Sequence, residues 1–140
     1  MAFVLDNSVV CGWILENQST DYSAAIARRL EQERAIVPPL LRLELVNVLR
    51  TACKRQVMIA SQAQELLAQL FRLPIEVNST SPEPGLLLGL ALRYELTAYD
   101  AAYLELALRM QLPIATQDEA LAEAARMAGV GLYGRGGEIG

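Results

Sequence analysis

The sequence predicts an α/β protein: a three-layer α/β/α sandwich built on a parallel sheet of short strands. Three observations lead there. Short apolar runs rich in Val, Leu and Ile alternate with longer stretches of helical spacing. Those runs are almost uninterrupted by polar residues, as in strands covered on both faces. The chain has 140 residues, enough for one domain with a real core, and it shows no internal repeat and no linker long enough to divide it.

The first strand is the run Ala2-Phe3-Val4-Leu5, which ends abruptly in Asp6-Asn7-Ser8. A short helix is expected over Ser8 to Glu16, then a polar break at Asn17 to Thr20 and a second helix over Asp21 to Arg34. Ala35-Ile36-Val37 reads as a strand stopped by Pro38-Pro39. Proline suits the first turn of a helix, so a third helix should run from Pro39 to about Gln56. Ser61 to Arg72 is a fourth helix, and Pro74 to Val77 a strand. Pro82 to Arg93 and Ala98 to Met110 are the next two helices, followed by a strand over Leu112 to Thr116. Glu119 to Met127 is a helix ended at Gly129, and Val130 to Tyr133 is a fifth strand. Residues 134–140 are rich in glycine and are expected to form a mobile tail.

Composition excludes several kinds of chemistry. There is no histidine, hence no Ser-His-Asp or Cys-His catalysis and no His-based zinc site. Lys54, the single lysine, follows no glycine-rich loop, so there is no phosphate-cradling P-loop. Cys11 and Cys53 are far apart, without a C-x-x-C, and core packing is their expected role. No apolar run reaches the ~18 residues that span a bilayer. The first residues lack a signal peptide's basic region, and a cytoplasmic protein is expected. The 53% hydrophobic content points to a buried partner surface. With a net charge of −4, broad attraction to nucleic acid is not expected, although local basic patches remain available.

Four acids stand in informative places. Asp6 ends the first strand, where ligands bind in open α/β sheets, but it also fits a plain helix cap. Glu44 lies within Leu40-Leu41-Arg42-Leu43-Glu44-Leu45-Val46-Asn47-Val48, with no basic residue three or four positions away. It either snorkels to solvent or needs a partner. Asp100 shares a helix side with Tyr103, Leu104, Ala107 and Leu108, and Thr97-x-x-Asp100 also fits a capping box. Asp118 follows the strand at Ile114 to Thr116, and there too a first-turn acid is an adequate explanation. In a parallel sheet, Asp6 and Asp118 share one edge, which Asp100 and Glu44 can reach from their helices. Carboxylates so gathered repel one another, and a divalent cation resolves the repulsion. Oxygen ligands without His or Cys favour Mg²⁺ or Mn²⁺, and phosphodiester hydrolysis is the chemistry such a site offers.

The blocks Phe3-Val4-Leu5-Asp6-Asn7-Ser8-Val9, Leu43-Glu44-Leu45-Val46-Asn47-Val48-Leu49, Thr97-Ala98-Tyr99-Asp100-Ala101-Ala102-Tyr103-Leu104-Glu105-Leu106-Ala107 and Leu112-Pro113-Ile114-Ala115-Thr116-Gln117-Asp118 resemble the four signature blocks of PIN domains. The nearest resemblance is to the VapC-type toxins of toxin–antitoxin pairs. It spans nearly the whole chain, and implies a PIN-like domain over residues 1–133 with a five-stranded parallel sheet. It further implies a Mg²⁺- or Mn²⁺-dependent endoribonuclease, a homodimer and a cognate antitoxin. By position, Asp6, Glu44, Asp100 and Asp118 match the family's acidic, metal-binding and catalytic quartet, and Ser8 and Thr116 its supporting hydroxyls. The chain departs from many relatives past the T-x-D block, where its extra acid is the adjacent Glu119.

Arg50 and Lys54, four apart on the Glu44 helix, are candidate contacts to RNA phosphates, with solvated surface as the alternative. Two other readings compete with the ribonuclease. A PIN-like binding module without catalysis would act only through its partner. An aspartate-based phosphoryl-transfer enzyme usually needs a second acid two residues after the first, where this chain has Ser8.

Overall fold

The computed structural model describes residues 1–134, in which four strands and seven α-helices alternate. In chain order they are β1 (Ala2–Leu5), α1 (Asn7–Ile14), a single 3-10 turn (Glu16–Gln18), α2 (Asp21–Arg29), β2 (Arg34–Val37), α3 (Leu40–Lys54), α4 (Ala60–Leu70), β3 (Ile75–Val77), α5 (Pro84–Tyr94), α6 (Ala98–Met110), β4 (Ile114–Ala115) and α7 (Glu119–Met127). All strand pairs are parallel, in the order β3-β2-β1-β4. Consecutive residues Phe3, Val4 and Leu5 are all fully buried, so both faces of β1 are covered. The helices form two packed series, α1 against α2 and α3 with α4 beyond, and α6 against α5 and α7.

The expected fifth strand is corrected to a single bridge. Only Leu132 pairs, in parallel, with Ile114; Ile114 N–H donates to the Gly131 carbonyl at 2.9 Å and Tyr133 N–H to the Ile114 carbonyl at 2.7 Å. Longer pairing fails for two reasons. Leu112, the preceding residue that faces this side, gives its N–H to the Ala107 carbonyl at the end of α6 at 3.0 Å, and Gly134 adopts φ +79°, which turns the chain out of strand geometry. Beyond Gly134, the glycine-rich tail expected over 134–140 lies outside the described residues. The second helix also stops earlier than Arg34. That residue joins β2 opposite Ala2, and its guanidinium pairs with Glu76 on the edge strand at 2.9 Å.

Two register facts position the edge that matters. Val4 lies beside Ile114 and Leu5 beside Ala115, and Asp6 N–H continues the ladder to the Ala115 carbonyl at 3.0 Å. Asp6 therefore stands beside Thr116 at the carboxyl ends of two adjacent strands. The helix that leaves β1 is held close to α2 at Gly12, where an added Cβ would sit 2.6 Å from both Cβ and Oγ of the fully buried Ser23. Ser23 has no room to yield, because it belongs to the capping box with Thr20 and its carbonyl accepts from Trp13 Nε1 at 2.6 Å. Gly12→Ala is expected to destabilise the fold by about 1–3 kcal/mol through overpacking. A urea midpoint unchanged from wild type would show that α1 and α2 do not pack this tightly.

Candidate metal centre at the carboxyl edge of the sheet

Asp6 occupies the N-cap position of α1, yet its side chain makes no capping bond. Its Oδ2 instead accepts from Ser8 Oγ and from Thr116 Oγ1, both at 2.7 Å. The carboxylate is buried, and burial is the main reason its pKa is raised. The two hydroxyls oppose that shift, and the charge of Asp118 adds to it. Both hydroxyls are held in turn. Ser8 Oγ accepts from Gln117 N–H at 2.7 Å, and Thr116 Oγ1 accepts from Asp118 N–H at 3.0 Å.

The other three acids approach from separate elements. Asp118 caps α7, with Oδ1 accepting from the N–H groups of Ala120 and Leu121 at 2.9 and 3.2 Å. The capping alternative is thus realised there, and Oδ2 has no hydrogen-bond donor among the described residues. Glu44, half-buried on α3, does not snorkel free, because Tyr103 donates its hydroxyl to Oε1 at 2.6 Å. Burial pushes the Glu44 pKa up, the Tyr103 bond pulls it down, and the charges of Asp6 and Asp100 raise it further. On α6 the cap is Thr97, whose Oγ1 accepts from Asp100 N–H at 3.1 Å. The Asp100 carboxylate has no hydrogen-bond donor among the described residues. Burial, then Asp118, then Asp6 push its pKa up to about 6.

Asp6 thus feels Asp118, Asp100 feels Asp118 and Asp6, and Glu44 feels Asp6 and Asp100, while among the described residues no Arg or Lys contributes to these shifts. The four acids do not form a ready-made cage: among the described residues, no group of three or more acids is arranged to hold a metal ion. Two carboxylates ~4 Å apart oppose each other by about 4 kcal/mol at an effective dielectric of ~20, which favours standing apart. The donor chemistry itself fits a hard divalent cation: carboxylate and hydroxyl oxygens, with neither nitrogen nor sulfur. Cys11 lies close by, but burial and the charges of Asp6 and Glu44 hold its thiol up at about 11. It is protonated at neutral pH and serves as packing.

Arg50 and Lys54 are exposed on α3 and are not among the charges the acids feel. Two residues of this neighbourhood do not stand out as site residues in the sequence. Gln117 ties the edge together, donating Nε2 to the Ser8 carbonyl at 3.0 Å and accepting from Thr20 Oγ1 at 2.5 Å. Tyr103 holds Glu44; the one available signal was its place three residues after Asp100, on the same side of the helix.

A family model described as PIN domain matches residues 3–127. The chain belongs to the PIN domain family. Two solved structures share its fold. PAE2754 from Pyrobaculum aerophilum is 20% identical with a TM-score of 0.68, covering 92% of this chain and 90% of that one. VapBC2 from Rickettsia felis, bound to a DNA fragment from their promoter, is 14% identical with a TM-score of 0.69, covering 95% of this PIN domain and 98% of that chain. Comparison with curated proteins gave no match. No helix of the described residues is long and apolar enough to cross a membrane.

The raised Asp100 pKa has a consequence for stability. The folded state holds this proton more tightly than the unfolded chain, so the group's contribution is greatest below about pH 4 and is lost as pH rises towards about 6. At neutral pH the charged Asp100 is therefore a liability. Asp100→Asn is expected to stabilise the metal-free protein at pH 7 by about 1 kcal/mol after allowance for solvent screening, with the gain vanishing near pH 4. Urea midpoints at the two pH values check this; a variant less stable than wild type at pH 7 would contradict it.

Proposed function

We propose that this PIN domain is a divalent-metal-dependent endoribonuclease of the VapC type, the toxin of a toxin–antitoxin pair. One observation carries the reading: four carboxylates from separate elements share one electrostatic neighbourhood at the strand ends, and among the described residues no cationic side chain contributes to the shifts at Asp6, Glu44 or Asp100. Mg²⁺ or Mn²⁺ is the proposed cofactor, held by Asp6 and Asp100 most directly, with Glu44 and Asp118 acting directly or through water. When bound, such an ion supplies a more acidic water and neutralises charge that develops on the phosphate.

The chain's own residues divide the remaining work. Ser8 and Thr116 fix the orientation of Asp6, so little conformational freedom is left to lose there. Asp100 has no hydrogen-bond donor among the described residues, so its carboxylate is open to a cation. Asp118 keeps one oxygen for its helix and one for the site. Arg50 and Lys54 are proposed to grip RNA phosphates along α3, and replacing both with Ala should flatten the salt dependence of RNA binding.

Partners follow from surfaces. Leu86, Leu88 and Leu92 of α5 and Leu43 and Val46 of α3 are exposed, which suits a homodimer. A groove of about 1200 Å³ between the end of α1, α3 and α4, lined by Leu15, Val48, Val57, Met58 and Leu66, suits a segment of an antitoxin. The same groove supports the second reading, a binding module that acts without catalysis. A cytoplasmic setting belongs with the toxin reading.

Incubation of a structured RNA with the purified protein separates the two readings. Cleavage is expected with Mg²⁺ or Mn²⁺, not with EDTA, and Asp100→Asn is expected to lose at least about 100-fold in rate. Cutting that persists in EDTA or in the variant would overturn the metal-dependent nuclease.

A further inference from the structure

We propose that Tyr103 is a positioning residue for the cation site, acting through Glu44. The inference rests on the acidic pocket proposed above and adds a residue to it. Tyr103 is fully buried on α6, and its phenol oxygen reaches α3. It donates to Glu44 Oε1 on α3 at 2.6 Å. One hydroxyl thus ties α6, which carries Asp100, to the helix that carries Glu44.

The chemistry of that hydroxyl is specific. A carboxylate has two oxygens, and a donor fixed on one of them fixes the direction of the other. Oε1 is committed to Tyr103, and Oε2 has no donor among the described residues, so Glu44 is presented with one oxygen to give. Glu44 hangs on a long side chain with several rotatable bonds, and without the donor it would pay rotamer entropy on binding an ion. Phenylalanine would fill nearly the same volume at position 103. It would leave Glu44 without its donor.

The test is Mn²⁺ binding by the full chain, measured by calorimetric titration of wild type, Asp100→Asn, Tyr103→Phe, Glu44→Ala and the double variant Glu44→Ala/Tyr103→Phe. Tyr103→Phe is expected to weaken Mn²⁺ affinity by about 10- to 100-fold, as loss of a group that orients a metal ligand does. In the Glu44→Ala background the same change is expected to cost nothing more. Equal weakening in both backgrounds would mean that Tyr103 acts on the fold and would overturn the proposal. Unchanged affinity in Tyr103→Phe, with binding lost in Asp100→Asn, would overturn it while leaving the acidic pocket intact. Wild-type affinity in Asp100→Asn would overturn the pocket and the proposal together. Should Tyr103→Phe fail to fold, Mg²⁺ titration of wild type supplies the second measurement. The Tyr103 hydroxyl proton, followed by NMR, is expected to shift on saturation, and an unmoved resonance would overturn the proposal.

Discussion

Asp6 is a carboxylate buried at the end of an inner strand, and both hydroxyls beside it donate to the same oxygen. Burying such a charge costs several kcal/mol even after relaxation. Each hydrogen bond to it returns about 1.5–3 kcal/mol. The two sides are of similar size, and the upward direction of the Asp6 pKa says that burial has the edge. Much of the surrounding structure serves this one group. The β1–β4 register puts Thr116 beside it, α1 begins so that Ser8 turns back to it, and Gln117 holds Ser8 from the neighbouring turn.

The other acids are placed by elements that fold for ordinary reasons. α7 needs a cap, and Asp118 provides it with one oxygen, the other having no donor among the described residues. α6 is the central beam: Ala101 to Ala107 are all buried, so its inner side is fixed, and Asp100 and Tyr103 are carried into place with it. The last described turn is pinned as firmly. Tyr133 stacks on Phe3 with ring centroids 4.6 Å apart, and its hydroxyl donates to Glu33. At this edge Asp6 is held by two side-chain donors, while the Asp100 carboxylate has none among the described residues.

The sequence carried most of this edge because strand ends and helix starts leave local marks. Asp6 and Asp118 could be set on one side of the sheet from two apolar runs and the parallel rule alone. Glu44 was legible from what it lacked, a basic neighbour three or four residues away. Contacts between distant segments left no such mark. The bond from Tyr103 to Glu44 joins residues 59 apart in the chain, and that from Thr20 to Gln117 residues 97 apart. Composition also misjudged the final strand. Val130 to Tyr133 has strand-forming residues, but its neighbour β4 offers only two residues for pairing, and Leu112 before it spends its N–H on the end of α6. Pairing depends on the partner's free groups, which a propensity cannot see.

Direct observation of the cation tests the central claim most sharply. Crystals of the protein soaked in Mn²⁺ and measured at the manganese absorption edge would give an anomalous difference map. A peak is expected within about 2.5 Å of carboxylate oxygens of Asp6 and Asp100, in the range of oxygen–cation distances. A map without a peak at this edge, from crystals soaked well above the concentration that supports cleavage, would contradict a metal centre built from these four acids.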